Sequence, residues 1–413
     1  MRLTPHNYSP SVLGKIVRSA ARQSSFEEAT KALDDLAELT ISSRQVSRIA
    51  QEAGQQLQAQ RDDQVGPPQA DRLPPRVETR PALAVVEVDG GRLRIRGEGE
   101  GPGAHDASWR EDKIAMLATA AITVSAADPE PELPVCFRDR NYVEKLVRGI
   151  GGVGPMSPPD PTDPRPADTP PAEAGPPEPS RQKPELLVRT YVASTCGSDE
   201  FGPMVAEEAR QRNFLKAAAR AFVGDGAAWI WKLQRQYFPS FVAIVDFLHV
   251  LGHLFAAAKA APSGAEKTWA LFQSWAEACW KGQVGQVIEA IQALVDGLGP
   301  LSEAEVEGLA DDDPRKILIQ ELGYLEGNRE RMDYPRYRQE GLPWTSSHVE
   351  STVKMFNRRV KGTEKSWGET GAEAILQLRA AYLSEDGRLD EHLKSRPSSP
   401  FRTYKNREVR QAA

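Results

Sequence analysis

Three acidic residues stand where their surroundings could give them chemistry. Asp89 closes the apolar run Leu83-Ala84-Val85-Val86-Glu87-Val88, Asp225 follows Ala221-Phe222-Val223-Gly224, and Glu350 lies early on a helix capped by Thr345-Ser346-Ser347. The first two runs read as β-strands, so each aspartate ends a strand. Strand ends on one side of a sheet, with one helix approaching, bring three carboxylates within a few ångströms of each other. Such a cluster stays ionised only when cations neutralise it. Oxygen ligands of this kind suit Mg²⁺ or Mn²⁺. Two such ions about 4 Å apart activate a water or a 3′-hydroxyl and stabilise the leaving oxygen of a phosphodiester. Each acid also has a plainer reading. Asp89-Gly90-Gly91 is a hairpin turn, Asp225-Gly226 is a turn, and a glutamate on an amphipathic helix is solvated. Their joint order along the chain is what favours the chemistry.

A fourth acid, Asp246, ends the run Phe241-Val242-Ala243-Ile244-Val245, and His249 follows three residues later. His249 and His253 fall four apart on a helix. Core packing or capping is the plain account of both, and a zinc site lacks further ligands.

The elements that must position these residues divide the chain. Residues 1–61 read as helices: Phe26, Ala29, Leu33, Leu36 and Leu39 make one apolar face, and Ser42 or Ser43 caps a second helix carrying Val46, Ile49 and Ala50. The pair has a helix-turn-helix pattern, with Arg44, Gln45, Ser47 and Arg48 on the outer face where such side chains read base edges. Many helical pairs look alike, and a solvated helix is the plainer reading. A linker, 62–81, follows. A hairpin is expected next, with Leu83 to Val88 as one strand, a turn at Asp89-Gly90-Gly91, and Arg92 to Arg96 as the other. Lys113 to Val124 offers a third strand, and a helix surrounds Tyr142 to Val147. Residues 151–184 are crowded with proline and poor in large apolar side chains, which predicts a disordered loop. Order is expected to resume with a helix from about Gly202 to Ala219.

From Leu248 to about Glu330 the pattern is helical, with Trp269, Phe272, Trp275 and Trp280 on one face. An all-helical insertion, 255–335, therefore separates the second acid from Glu350. Its tryptophans are most simply its own core, although an exposed one could stack on a flipped base. The last helix spans Ala372 to Leu383, and a polar tail, 385–413, is expected to be loose. The expected fold is an α/β core, an RNase H-like mixed sheet with flanking helices over 82–254 and 336–384. The insertion interrupts this core, and the helical region precedes it.

The 413 residues carry a net charge of −6, which argues against coating nucleic acid by bulk charge. The distribution is uneven: from Ser351 onward there are 13 Lys/Arg against 8 Asp/Glu, and before it 39 against 50. Lys354 and Arg358 follow Glu350 by one and two helical turns, and Arg359, Lys361 and Lys365 continue the basic run. Cations there would hold DNA phosphates, though a solvated basic helix is the plainer reading. No apolar run approaches the roughly 20 residues of a membrane span, so no membrane partner is expected. Three scattered cysteines, Cys136, Cys196 and Cys279, fit a reducing cytoplasm.

The motifs, taken in order, resemble those of prokaryotic insertion-sequence transposases of the DDE class, in the ISKra-type group with Mutator-related motifs. The matching stretches are Val88 to Arg92, Trp109 to Lys113, Gly224 to Ile230, Asp246 to His249, Gly341 to Pro343 with Val349 to Ser351, and Arg359 to Thr363 with Trp367. The resemblance implies that Asp89, Asp225 and Glu350 are catalytic ligands of two Mg²⁺ or Mn²⁺ ions. It makes Asp246 and His249 a core signature. It implies double-stranded DNA as partner, both transposon ends and target, a homodimer or higher assembly, and action at the nucleoid of a prokaryotic cytoplasm. Two other readings stay open: a catalytically idle DNA-binding relative, and a structure-specific nuclease on the same core.

Overall fold

A computed structural model of the chain describes residues 6–66, 74–96, 108–150, 184–262, 264–299, 301–345, 347–360 and 367–395. Three helices open it: α1 (Pro10–Arg22), α2 (Phe26–Ala37) and α3 (Ser43–Val65). Each begins at a serine whose hydroxyl accepts a main-chain N–H of the first turn: Ser9 from Val12, Ser25 from Glu28 and Ser42 from Gln45. Strands β1 (Leu83–Ile95) and β2 (Ser108–Ala121) follow, then α4 (Arg140–Ile150), β3 (Glu185–Ser194) and α5 (Ser198–Gln211). Next come β4 (Ala219–Gly224), α6 (Ala228–Tyr237), β5 (Val242–Val245) and α7 (Phe247–Ala260). Beyond them lie α8 (Ala265–Trp280), α9 (Val284–Gly297), α10 (Glu303–Glu307), α11 (Pro314–Asn328) and α12 (Tyr334–Gln339). The last helices are α13 (Ser347–Val360), α14 (Glu369–Leu383) and α15 (Arg388–Ser395).

The five strands form one mixed sheet in the order β3-β2-β1-β4-β5. β1, β2 and β3 run antiparallel in turn, while β4 and β5 run parallel to β1. Leu83 through Val88 are buried without alternation, because β1 is central and helices cover both faces. The fold is thus α/β with flanking helices, as expected.

Four local expectations are corrected. Asp89-Gly90-Gly91 is not a hairpin turn and Asp89 does not end a strand: β1 runs straight through them, paired from Leu83↔Ala120 to Ile95↔Ser108 with β2. Pairing with β2 along the whole length of β1 outweighs the local turn preference of Asp-Gly-Gly. Gly91 has a sheet role instead, since a Cβ there would press on the Asp112 carboxylate at 2.7 Å. β3 was not expected at all. Its outer half is partly exposed and adjoins the proline-rich stretch, so its β-branched residues gave only a weak signal. The helix after it is α5, earlier than the expected 202–219, and Ala219 already belongs to β4. The tail is not loose throughout, because Arg388–Ser395 is helical. The expected loop 151–184 falls almost wholly outside the described residues.

The N-terminal helices dock on the body of the protein. α3 buries Val46, Ile49, Ala50, Ala53 and Gly54, and packs along α14. Arg61 of α3 reaches Glu373 of α14 at 3.0 Å, and Glu373 also accepts from Ser194 Oγ and the Thr195 N–H at the end of β3. Between β5 and α13, every described element is helical. That region seats an aromatic cluster around Phe247, whose ring lies 4.9 Å from Trp280, 4.9 Å from Tyr334, 5.7 Å from Phe137 and 6.0 Å from Trp344. Trp275 and Trp280 are buried and Trp269 stacks on Phe272, so these tryptophans serve packing. Core packing is therefore the reading that fits these three.

Candidate functional site

The sheet register decides where the acids meet. Val88 of β1 pairs with Gly224 of β4, and Gly224 pairs with Val245 of β5. The next residue on each strand is an aspartate: Asp89, Asp225 and Asp246. Three acids on adjacent strands thus reach one level, Asp89 within β1 and Asp225 and Asp246 just past the ends of β4 and β5, with neighbouring strands about 4.8 Å apart. The Asp246 N–H donates to the Gly224 carbonyl at 2.8 Å, extending the β4–β5 ladder to that level.

The three carboxylates differ in environment. Asp246 is fully buried and caps α7: its Oδ1 accepts from the Leu248 N–H at 3.2 Å, and His249 Nδ1 donates to its Oδ2 at 2.7 Å. Asp89 and Asp225 are half-buried. Each uses one oxygen locally, Asp89 Oδ1 on the Gly90 N–H at 2.7 Å and Asp225 Oδ1 on the Ala227 N–H at 2.8 Å. His249 registers the shared field. Burial alone would lower its pKa, but the Asp246 hydrogen bond and the charges of Asp225 and Asp89 outweigh that and push it up to about 10. An imidazolium therefore sits among three carboxylates and offsets part of their charge. Asp246 and His249 form a mutually bonded pair beside Asp89 and Asp225.

Among the described residues, no three His, Cys, Asp or Glu side chains gather closely enough to hold a metal ion. Asp89 and Asp225 supply two carboxylates of the kind a hard cation takes. The third expected ligand, Glu350, lies on α13, which packs across β1 and β2. Its side chain falls outside the described residues. The carboxylate donors of Asp89 and Asp225 fit Mg²⁺ or Mn²⁺ in ligand type. No family model matches this chain. No curated protein matches it either.

Several neighbours were not singled out from the sequence. Asp112 is buried and pairs with Gly91 on the sheet face that also carries Asp89, two residues along the strand. Lys113 bonds Glu111 at 2.9 Å and lies 5.4 Å over the ring of Trp229 on α6. Both belong to the Trp109–Lys113 stretch, whose acidic and basic residues were legible although their roles were not. Tyr324 of α11 donates its hydroxyl to the Asp225 carbonyl at 2.7 Å, a contact across 99 residues without any local signal. His253 Nδ1 lies 2.5 Å from Glu321 of α11.

The expected DNA-facing cations separate into groups. Arg44 and Arg48 are exposed on the first turns of α3, with Arg48 3.5 Å from His6. Lys354 and Arg358 are exposed on α13. Lys361 and Lys365 lie outside the described residues. Arg359 is corrected: it is 2 % exposed, its Nε donates to the Ala20 carbonyl at 3.0 Å, and its guanidinium stacks on Phe26 and Trp367. Burial, with Arg379 nearby, lowers its pKa to about 10. A side chain committed in this way joins α13 to the N-terminal helices and leaves no guanidinium face for a phosphate.

Proposed function

We propose that this chain is a DDE-class DNA transposase that cleaves and joins DNA at the ends of its element, on an RNase H-like core. The observation that carries the reading is the register that sets Asp89, midway along β1, beside Asp225, the residue after β4, where the parallel β1–β4 ladder ends. The strand order 3-2-1-4-5, the helix bearing Glu350 across β1, and the helical segment before it all accord with that core. No helix among the described residues is long and apolar enough to cross a membrane.

Asp89, Asp225 and Glu350 would hold two Mg²⁺ or Mn²⁺ ions, which when bound favour deprotonation of a water or 3′-hydroxyl and offset charge on the leaving oxygen. The protein's own groups arrange the rest. Asp246 fixes the His249 ring, and the imidazolium moderates the repulsion between Asp89 and Asp225. Lys354 and Arg358, one turn apart on the exposed side of α13, would grip phosphates of the transposon end beside Glu350. Arg44 and Arg48 at the start of α3 would contact duplex in the manner of a helix-turn-helix. Two ends must be handled together, so a dimer or larger assembly is proposed.

The test is a strand-transfer assay on DNA carrying the element's inverted repeats, with Mg²⁺ or Mn²⁺. The wild type is compared with Asp89→Asn, Asp225→Asn and Glu350→Gln. Joining by the wild type and a loss of at least about a thousandfold in every variant supports the proposal. Cutting without joining points to a nuclease, and binding without cutting points to an idle DNA-binding protein.

A further inference from the structure

The second acid sits on a turn that the helical insertion grips from outside. Gly226 adopts φ +106°, a left-handed conformation suited to glycine, and a Cβ there would run into the ring of Tyr324. The Tyr324 hydroxyl donates to the Asp225 carbonyl at 2.7 Å. Its ring stacks on His253, with centroids 3.3 Å apart and planes inclined at 16°, and His253 is held against the buried Glu321 at 2.5 Å. One turn further along α11, Asn328 accepts from Trp231 Nε1 at 2.7 Å and donates to the Tyr324 carbonyl at 3.0 Å. Trp231 belongs to α6, the helix that starts directly after the Asp225 turn. α11 therefore fastens both the peptide carrying the acid and the helix that follows it.

We infer that Tyr324 is a positioning residue for Asp225, through which the helical insertion sets the geometry, and hence the cation affinity, of the acidic site. The inference rests on the reading of Asp225 as a cation ligand. A carboxylate on a glycine turn has few constraints of its own, and fixing its peptide from a distant helix removes freedom that a bound ion would otherwise have to restrict. The same contact makes the insertion part of the site, since a displacement of α11 would carry the Asp225 carbonyl with it.

Titration calorimetry of the full chain with Mn²⁺ alone, paired with thermal melts, tests the inference without a DNA reaction. Tyr324→Phe keeps the ring on His253 and deletes one oxygen. It is expected to weaken Mn²⁺ binding about tenfold or more, the usual scale for a lost outer-sphere support, with the protein still folded. Trp231→Phe removes the neighbouring tether but spares the Asp225 carbonyl, and is expected to lower the melting temperature with Mn²⁺ affinity kept. Wild-type affinity in Tyr324→Phe, alongside loss of binding in Asp225→Asn, overturns the positioning role alone. If the wild type takes up no Mn²⁺, or Asp225→Asn binds it undiminished, the underlying cation site is overturned. Should Tyr324→Phe fail to fold, Glu321→Gln loosens the His253 support and is expected to shift affinity in the same direction. An unchanged affinity there overturns the inference as well.

Discussion

Gly54 of α3 lies directly against the main chain of Ala374 in α14, so closely that a Cβ at residue 54 would overlap the Ala374 carbonyl oxygen. This approach lets the N-terminal helices share a core with the elements that carry Glu350 and its basic neighbours. It also fixes the base of the helix whose first turns present Arg44 and Arg48.

Neither backbone at that crossing has a flexible side chain to move aside. Gly54→Ala is therefore expected to destabilise the protein by about 2–3 kcal/mol through overpacking. Gly323→Ala, on α11 with nothing within reach of the added methyl, is expected to be neutral or stabilising by up to about 1 kcal/mol. Urea unfolding of the two variants beside wild type checks the contrast, and equal midpoints for both would refute the close approach.

Adjacent cations on α13 are expected to behave in opposite ways. Lys354→Ala and Arg358→Ala, at exposed positions, should weaken duplex binding and lower the slope of log K against log salt by about one each, with little change in melting temperature. Arg359→Ala should leave that slope unaltered and cost about 2–4 kcal/mol of stability, since it strips buried contacts from Ala20, Phe26 and Trp367. Salt titrations of fluorescent duplex binding, read beside thermal melts, distinguish the two behaviours.

The His249 pair predicts a pH dependence of definite sign. Its folded pKa, about 10, exceeds the ordinary value of 6.5. The stabilisation it brings is thus complete below about pH 6.5 and fades as pH rises through 10. In metal-free protein, wild type should exceed His249→Gln in stability by a few kcal/mol at pH 6, on the order expected for such a shift, and the gap should close towards pH 10. Denaturation series at several pH values measure it. A gap that widens with rising pH would show that the imidazole is neutral in the fold.

Much of this arrangement is legible in the chain itself. Apolar runs before Asp89, Asp225 and Asp246 announce strands, because burial on both faces demands continuous aliphatic residues, and two of those acids, Asp225 and Asp246, directly follow a strand end. A serine at 42 or 43 announces α3, and Ser42 proves to be its cap, because a hydroxyl before an apolar helical pattern satisfies an otherwise unpaired N–H. These are local constraints, and the residues that impose them lie within a few positions of one another.

Tertiary structure alone decided the rest. Asp89-Gly90-Gly91 has the composition of a turn, yet β2 pairs along all of β1 and keeps it extended. Arg359 looks like its exposed neighbours in a basic run, but the docking of α1 and α2 turns its surroundings into an aromatic pocket. Tyr324 reaches Asp225 only because α11 folds back against α7 and the end of β4. Hydrophobic spacing and capping act over one or two turns of chain, so sequence specifies elements. Partners distant along the chain are selected by packing, which is settled only when the elements close around a common core.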